Sequence, residues 1–216
     1  MDVFGYHALS CLGVGNRLFS RHDSVLTALV DIAAASGLNP QKNAKVTCLG
    51  EGIRFGRQFL RPADMLFDDA GHKTCVDVTI VSPLSDSRST NLFGRTLGAC
   101  LLNQANLKNN KHLRPCVDAG YDFLPFAVDV CGMVSQAAYQ LLQLFARRGE
   151  AQSHRPYSEL IATSRRRISC AVQLGVADQL LSYHVSFLSR LYRVGEAAAV
   201  CRLYRARDAA AASSSL

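Results

Sequence analysis

Apolar residues first fall into a repeating pattern at Asp23. Val25, Leu26, Leu29, Val30 and Ala33 lie on one side of a helix, and Gly37 is its stop. Residues 1–20 lack periodicity and carry Gly5, Gly13 and Gly15, the composition of a loop or a small knuckle. A short strand is expected over Ala44–Cys48, then a glycine- and arginine-containing stretch, Gly50–Leu60. Two apolar strands follow, Arg61–Phe67 and Cys75–Pro83, joined by the polar turn Asp68-Asp69-Ala70-Gly71-His72. Ser82–Thr90 is polar, and a helix is expected from Gly94 to Leu113. Its asparagines are poor helix formers, so packing must hold it. Asp122–Val130 reads as a buried strand after the punctuating Gly120, and Pro125 asks for an edge position or a bulge. Val134–Arg148 is amphipathic, with Ala138, Leu141, Leu142 and Phe145 on one face. A hydrophilic break over 149–156 precedes two more helices, 157–182 and 184–207, and an alanine- and serine-rich tail, 209–216.

This order describes an α/β sandwich: a central mixed sheet flanked by helices, with further helices at the C-terminus. The expected division is an N-terminal knuckle or loop over 1–20, a core over 21–150, a helical extension over 151–208 and the tail.

The chain has 216 residues and is 49% hydrophobic, enough for a real core. A net charge of +7 favours polyanionic partners, nucleic acid first among them. Eight cysteines occur without a CxxC pair, and Cys75, Cys131 and Cys170 lie in apolar runs. They read as small core residues in a reducing compartment rather than a disulfide framework. No apolar run approaches the roughly 18 residues of a membrane span. The N-terminus has no basic-then-apolar signal pattern, so an intracellular protein is expected.

The chemistry centres on the paired strands. Each carries one aspartate, Asp64 and Asp77, with twelve residues between them. A carboxylate in an apolar strand is costly to bury unless it meets a metal, a cation or a proton. Two on adjacent arms of a hairpin can converge on one divalent cation. The other reading of the same residues has Asp64 capping a strand and Asp77 pairing with an arginine.

Several motifs together resemble the restriction-endonuclease-like, PD-(D/E)XK, domain at the C-terminus of non-LTR retrotransposon polyproteins and of related reverse-transcriptase-associated proteins. Phe4-Gly5-Tyr6-His7-Ala8-Leu9-Ser10-Cys11 resembles the second half of a CCHC zinc knuckle, with Tyr6 in place of the usual aspartate. Arg21-His22-Asp23 matches an element that opens the first helix, and Asp23 also suits an N-cap. Arg61-Pro62-Ala63-Asp64 and Asp77-Val78-Thr79 match the family's metal-binding carboxylates, although Thr79 stands where a lysine is standard. Lys108-Asn109-Asn110-Lys111-His112, with Cys116, Gly120 and Phe123-Leu124-Pro125, resembles the segment that supplies the lysine from the following helix; His112 replaces a tyrosine. Arg167–Ala177 resembles the closing element, retaining Gly175 but with Leu174 and Val176 where an arginine and an asparagine are usual.

The resemblance implies a small restriction-endonuclease-like sandwich and a Mg²⁺-dependent DNA endonuclease that nicks a target site. Asp64 and Asp77 would hold the metal, with a backbone carbonyl near Val78. Lys108 or Lys111 would orient water or stabilise the transition state, and Lys111 fits the family spacing to Cys116. Glu51 is a further candidate acid. His22, with Arg21, Arg54, Arg57, Arg61, Arg88 and Arg95, would face nucleic acid, DNA or the RNA of a parent element, in the nucleus. Arg165-Arg166-Arg167 is a second basic run without an assigned role. His7 and Cys11 would be two of four zinc ligands, and without the other two no zinc is expected. The competing readings are an inactive, decayed remnant that binds nucleic acid or does nothing, and a helical interaction protein built on 133–208.

Overall fold

The computed structural model describes residues 17–44, 53–55, 58–60, 63–83 and 98–181. Helix α1 spans Arg17–Ala35, and β1 is Gln41–Lys42. Ile53–Phe55 (β2) and Gln58–Leu60 (β3) form a separate two-stranded ribbon. Next come β4 (Met65–Asp69), β5 (His72–Val81), α2 (Ala99–Asp118), β6 (Asp122–Asp129) and α3 (Gln136–Ser153). A fourth helix, α4, covers 157–181. The main sheet has the order β1-β4-β5-β6; β4 and β5 are antiparallel, and β5 and β6 parallel. The chain is thus an α/β domain with a four-stranded mixed sheet flanked by helices.

The hairpin is tighter than its polar turn suggests. Its loop is only Ala70-Gly71, both at positive φ (54° and 91°), and Gly71 N donates to Asp68 Oδ1 at 2.7 Å. A two-residue loop with both residues left-handed matches the twist of the strands. The arms therefore reach further toward the turn than the apolar runs do. Helix α1 starts six residues before Asp23, which is no N-cap: it sits exposed inside the helix, 2.8 Å from Lys42 Nζ. The stop at Gly37 has a physical cause. Its φ is 79°, Gly37 N bonds Ala34 O, and Leu38 N bonds Ala33 O, a Schellman ending. Helix α2 ends the same way at Gly120 and Tyr121. Helix α2 runs five residues beyond Leu113, and α3 runs to Ser153, so the break before α4 is only 154–156. Pro125 lies on the edge strand β6, where its missing N–H costs no ladder bond on the outer side.

The two faces of the sheet are unequal. Val25, Leu26, Leu29 and Ile32 of α1, with Leu141, Leu142 and Phe145 of α3 and Ile168 and Val172 of α4, pack on Met65, Phe67, Val76, Val78, Phe126 and Val128. Phe67 and Phe145 meet edge to face at 5.5 Å between ring centres. On the other face α2 covers a thinner layer: Cys75, Cys116, Tyr121 and Phe123 at one end, Val81, Cys100, Leu101 and Ala127 at the other. Cys131 and Cys170, expected inside, are exposed: the first lies in the turn after β6 and the second on the outer side of α4. No helix among the described residues is long and apolar enough to cross a membrane.

Residues 45–48 of the expected strand, the helix over 184–207, the tail, part of the Gly50–Leu60 stretch and most of the Ser82–Thr90 stretch lie outside the described residues.

Candidate active site

The register of the hairpin brings the two aspartates together. Met65 pairs with Val76, so the next rung sets Asp64 opposite Asp77, and Asp64 N donates to Val76 O at 2.9 Å. Residues directly opposite on antiparallel strands project from the same face. Each carboxylate accordingly acts on the other's proton affinity. The β4 ladder ends at this rung while β5 continues to Val81. The Asp64 side chain stands in for the missing backbone: its Oδ2 accepts from Val78 N at 2.8 Å.

Helix α1 supplies a second partner. His22 lies on the rim of its buried face, one turn before Val25 and Leu26. Its Nε2 is 3.1 Å from Asp64 Oδ2 and 3.2 Å from the Val78 carbonyl oxygen. Burial alone would raise the Asp64 pKa. The hydrogen bond and charge of His22, with the Val78 amide, outweigh it and hold the carboxyl below its ordinary range. The hydrogen bond to Asp64 in turn raises the His22 pKa against the effect of its own burial.

Helix α2 serves Asp77. Ala105, Lys108, His112 and Cys116 follow one another at helical spacing and form the stripe that meets β5. Lys108 Nζ is 3.0 Å from Asp77 Oδ1 and 2.8 Å from Oδ2. His112 Nε2 is 3.6 Å from Oδ2, and its ring packs on Phe123 with centres 5.6 Å apart. Burial pushes the Asp77 carboxyl up to about 6; Lys108 opposes this and Asp64 adds to it. Burial, with the nearby Lys111 and Lys108 charges, pushes His112 down to about 4, so its ring is neutral at pH 7. Asp77 is only 5% exposed, and its Oδ2 is buried, with the Lys108 ammonium as its near cationic neighbour.

These atoms suit a hard divalent cation. The set is two carboxylates and the Val78 carbonyl, all oxygen. Among the described residues no group of three or more His, Cys, Asp or Glu could hold a metal. The fit is therefore to an ion bound through one or two carboxylates that keeps several waters, as Mg²⁺ does.

Of the two candidate lysines, Lys108 reaches Asp77; Lys111 is exposed on the outer side of α2. Spacing to Cys116 favoured Lys111, but the helical face decides, and Lys108 is the one on it. His112 was identified only as a tyrosine replacement. The signal that could have found it is the stripe Leu101, Ala105, Lys108, His112 and Cys116 in a helix of otherwise polar residues. Arg21 is 4% exposed and packed between helices: a Cβ on Gly175 of α4 would come within 2.9 Å of the Arg21 Cα. It is thus no surface contact for nucleic acid, and burial lowers its pKa. This close approach is also why position 175 is glycine. The side chain of Arg54 in β2, and Arg57, Arg61, Arg88, Arg95, Glu51, His7 and Cys11, lie outside the described residues. In the second basic run, Arg167 pairs with Asp31 at 3.1 Å, and Arg165 lies over the Tyr139 ring, 5.8 Å from its centre.

No family model matches this chain, and no curated protein matches it.

Proposed function

We propose that the chain is a divalent-metal-dependent DNA endonuclease domain of the restriction-endonuclease-like kind, derived from a retroelement and acting in the nucleus. The observation that carries this reading is the Asp64–Asp77 pair on one rung of the hairpin, with the buried Asp77 carboxylate held against Lys108. The motifs around Asp64, Asp77 and Lys108 support it. Asp64, Asp77 and the Val78 carbonyl would hold Mg²⁺. A bound divalent ion supplies a Lewis acid at the phosphate and lowers the pKa of its water.

The chain's own groups have separable tasks. Lys108 holds a fixed positive charge beside Asp77, where it can offset charge developing on a phosphate oxygen. This replaces the lysine that Thr79 cannot provide. His22 holds the Asp64 carboxylate in place through Nε2 and keeps it ionised. His112, neutral and buried, closes the site from below and excludes water from the inner side of Asp77.

One observation favours the second reading, an inactive nucleic-acid-binding remnant. His22 Nε2 occupies the space between Asp64 Oδ2 and the Val78 carbonyl, and Lys108 neutralises Asp77, so the cluster is closed on itself. Nicking of supercoiled plasmid in Mg²⁺ against EDTA separates the two. The endonuclease reading expects Mg²⁺-dependent nicking that Asp77→Asn abolishes. Equal nicking by wild type and variant, or none by either, supports the remnant.

A further inference from the structure

The second basic run faces a cleft that the Asp64–Asp77 site does not use. The cleft lies between the turn after β6 and helix α4, with a volume of about 610 Å³. Gly132 and Met133 form one side, Tyr139 of α3 the floor, and Arg165, Arg166 and Ser169 of α4 the other side. No acidic side chain lines it. Arg167, one residue on, is neutralised by Asp31, whereas Arg165 is held over Tyr139 and Arg166 has no acidic partner among the described residues.

The turn is built to hold this shape. Asp129 Oδ1 accepts from Cys131 N at 2.9 Å and Met133 N at 2.8 Å, and Gln173 of α4 donates to Val130 O at 3.1 Å. Gly132 has a φ of 91° and is pressed onto α4: a Cβ there would lie 2.6 Å from Ser169 Oγ. The carboxylate of Asp129 is consumed inside the turn and buried, so it does not oppose an anion in the cleft. What remains is two guanidiniums, a hydroxyl and the start of α3, whose partial charge is positive.

We propose that this cleft binds a phosphate of the nucleic-acid backbone on its way to the Asp64–Asp77 site. The proposal rests on the nucleic-acid reading given above. Guanidiniums suit phosphate because they present paired donors in a plane. The cleft is a groove open to solvent, which suits a phosphate that belongs to a continuing strand. Its position also fits. Val81 is four residues along β5 from Asp77, about 13 Å of strand. Met133 packs onto the Val81, Cys100 and Leu101 layer there, joining the cleft to the α2 side of the sheet.

The test is binding of a fluorescein-labelled DNA duplex in EDTA, where no cleavage occurs, as a function of salt. The proteins are wild type, Asp77→Asn, Arg166→Gln and Arg165→Gln/Arg166→Gln. Loss of two phosphate contacts should weaken binding roughly tenfold or more at low salt and reduce the slope of log Kd against log salt by about two. Arg166→Gln alone should give about half of that slope change; it leaves the Tyr139 contact intact and guards against misfolding of the double variant. Asp77→Asn should bind at least as well as wild type. A duplex bound equally by all four proteins, or by none, overturns the proposal. So does a cleft that binds inorganic phosphate, seen as arginine-dependent competition or chemical-shift change, without any effect of the arginines on DNA. Because cleavage is not read, a protein that binds through Arg166 but never nicks would sink the endonuclease reading and leave this one standing.

Discussion

Asp64 and Asp77 face each other on one rung of the same hairpin, yet their surroundings push them in opposite directions. Asp64 sits at the open end of the ladder, partly exposed, and accepts from a backbone amide and an imidazole. Asp77 sits in a central strand beneath α2, with one ammonium against both of its oxygens. The first is held below the ordinary carboxylate range and the second is pushed up to about 6. Environment, rather than residue type, thus divides the pair into an anchored carboxylate and one held at a cost, a division that often marks a working site. The anchored member is structural glue with or without a ligand. The costly member makes sense when something positive arrives.

The sharpest way to break this contrast is to neutralise each aspartate in turn. If the endonuclease reading holds, Asp77→Asn should lower nicking by about a thousandfold, on the scale of losing a principal electrostatic group. Its stability at pH 7.5 should nevertheless rise, because a buried charge is removed. Asp64→Ala should also abolish nicking but should lower stability by about 1–3 kcal/mol, since it leaves Val78 N without an acceptor. Denaturant titration of both variants checks the opposite signs; a matching loss in each would erase the distinction.

Next in size is the lysine. Lys108→Ala should reduce nicking by about a hundredfold and Lys111→Ala by less than about twofold. A reversed order in single-turnover nicking would return the role to Lys111 and disconnect helical face from function.

The pH dependence of stability follows from the same contrast, with opposite signs. The folded Asp77 pKa, about 6, lies above its ordinary 3.8, so the folded state holds this proton more tightly than the unfolded one. Stability is lost as pH rises through this interval, by about 2–3 kcal/mol at most. The Asp64 contribution is full above 3.8 and fades as pH falls through its depressed folded value. The His22 contribution is full below 6.5 and fades as pH rises through its raised folded value. His112 works the other way: its folded pKa, about 4, lies below its ordinary 6.5, so its burial costs stability as pH falls below 6.5. The two opposed contributions should leave wild type with little difference between pH 5 and pH 7.5 in EDTA, and Asp77→Asn should make pH 7.5 clearly the more stable condition. Added Mg²⁺ should raise the melting temperature more at pH 7.5 than at pH 5, where a proton competes for Asp77.

The smallest expected effect lies away from both carboxylates. Gly175→Ala should cost about 1–3 kcal/mol by forcing α4 off Arg21, with nicking per folded molecule unchanged. A wild-type melting temperature would show that the two helices can part cheaply.

Much of this could be read before any coordinates. Alternation and apolar runs placed the hairpin, β6 and the faces of α1 and α3, because burial on a sheet imposes period two and burial on a helix imposes 3.6. Pro125 asked for an edge position or a bulge and lies on the edge strand, and Gly37 predicted a helix end, each for a backbone reason local to the residue. Asp23 misled because a good cap residue is only a local preference, and packing of the earlier turns overrode it. Cys131 and Cys170 misled because an apolar neighbourhood in sequence does not fix which side of a turn or helix faces inward. The aspartate pair was legible because register alone sets it. The choice between Lys108 and Lys111, and the burial of Arg21, were not. Both depend on where two helices dock, which one-dimensional spacing does not encode.

The two-residue loop at Ala70-Gly71 has a consequence for how the molecule assembles. It makes the carboxylate pair a product of a local strand pairing, since Val78 N and Asp64 are only 14 residues apart. His22 comes from 42 residues away and Lys108 from 31. A hairpin can close in microseconds, before distant helices arrive. A hairpin that closed first would set two negative charges side by side in water, and α1 and α2 would then bring His22 and Lys108 to them. If so, Gly71→Ala, strained at its positive φ, should slow refolding more than it speeds unfolding, and stopped-flow kinetics would read the ratio.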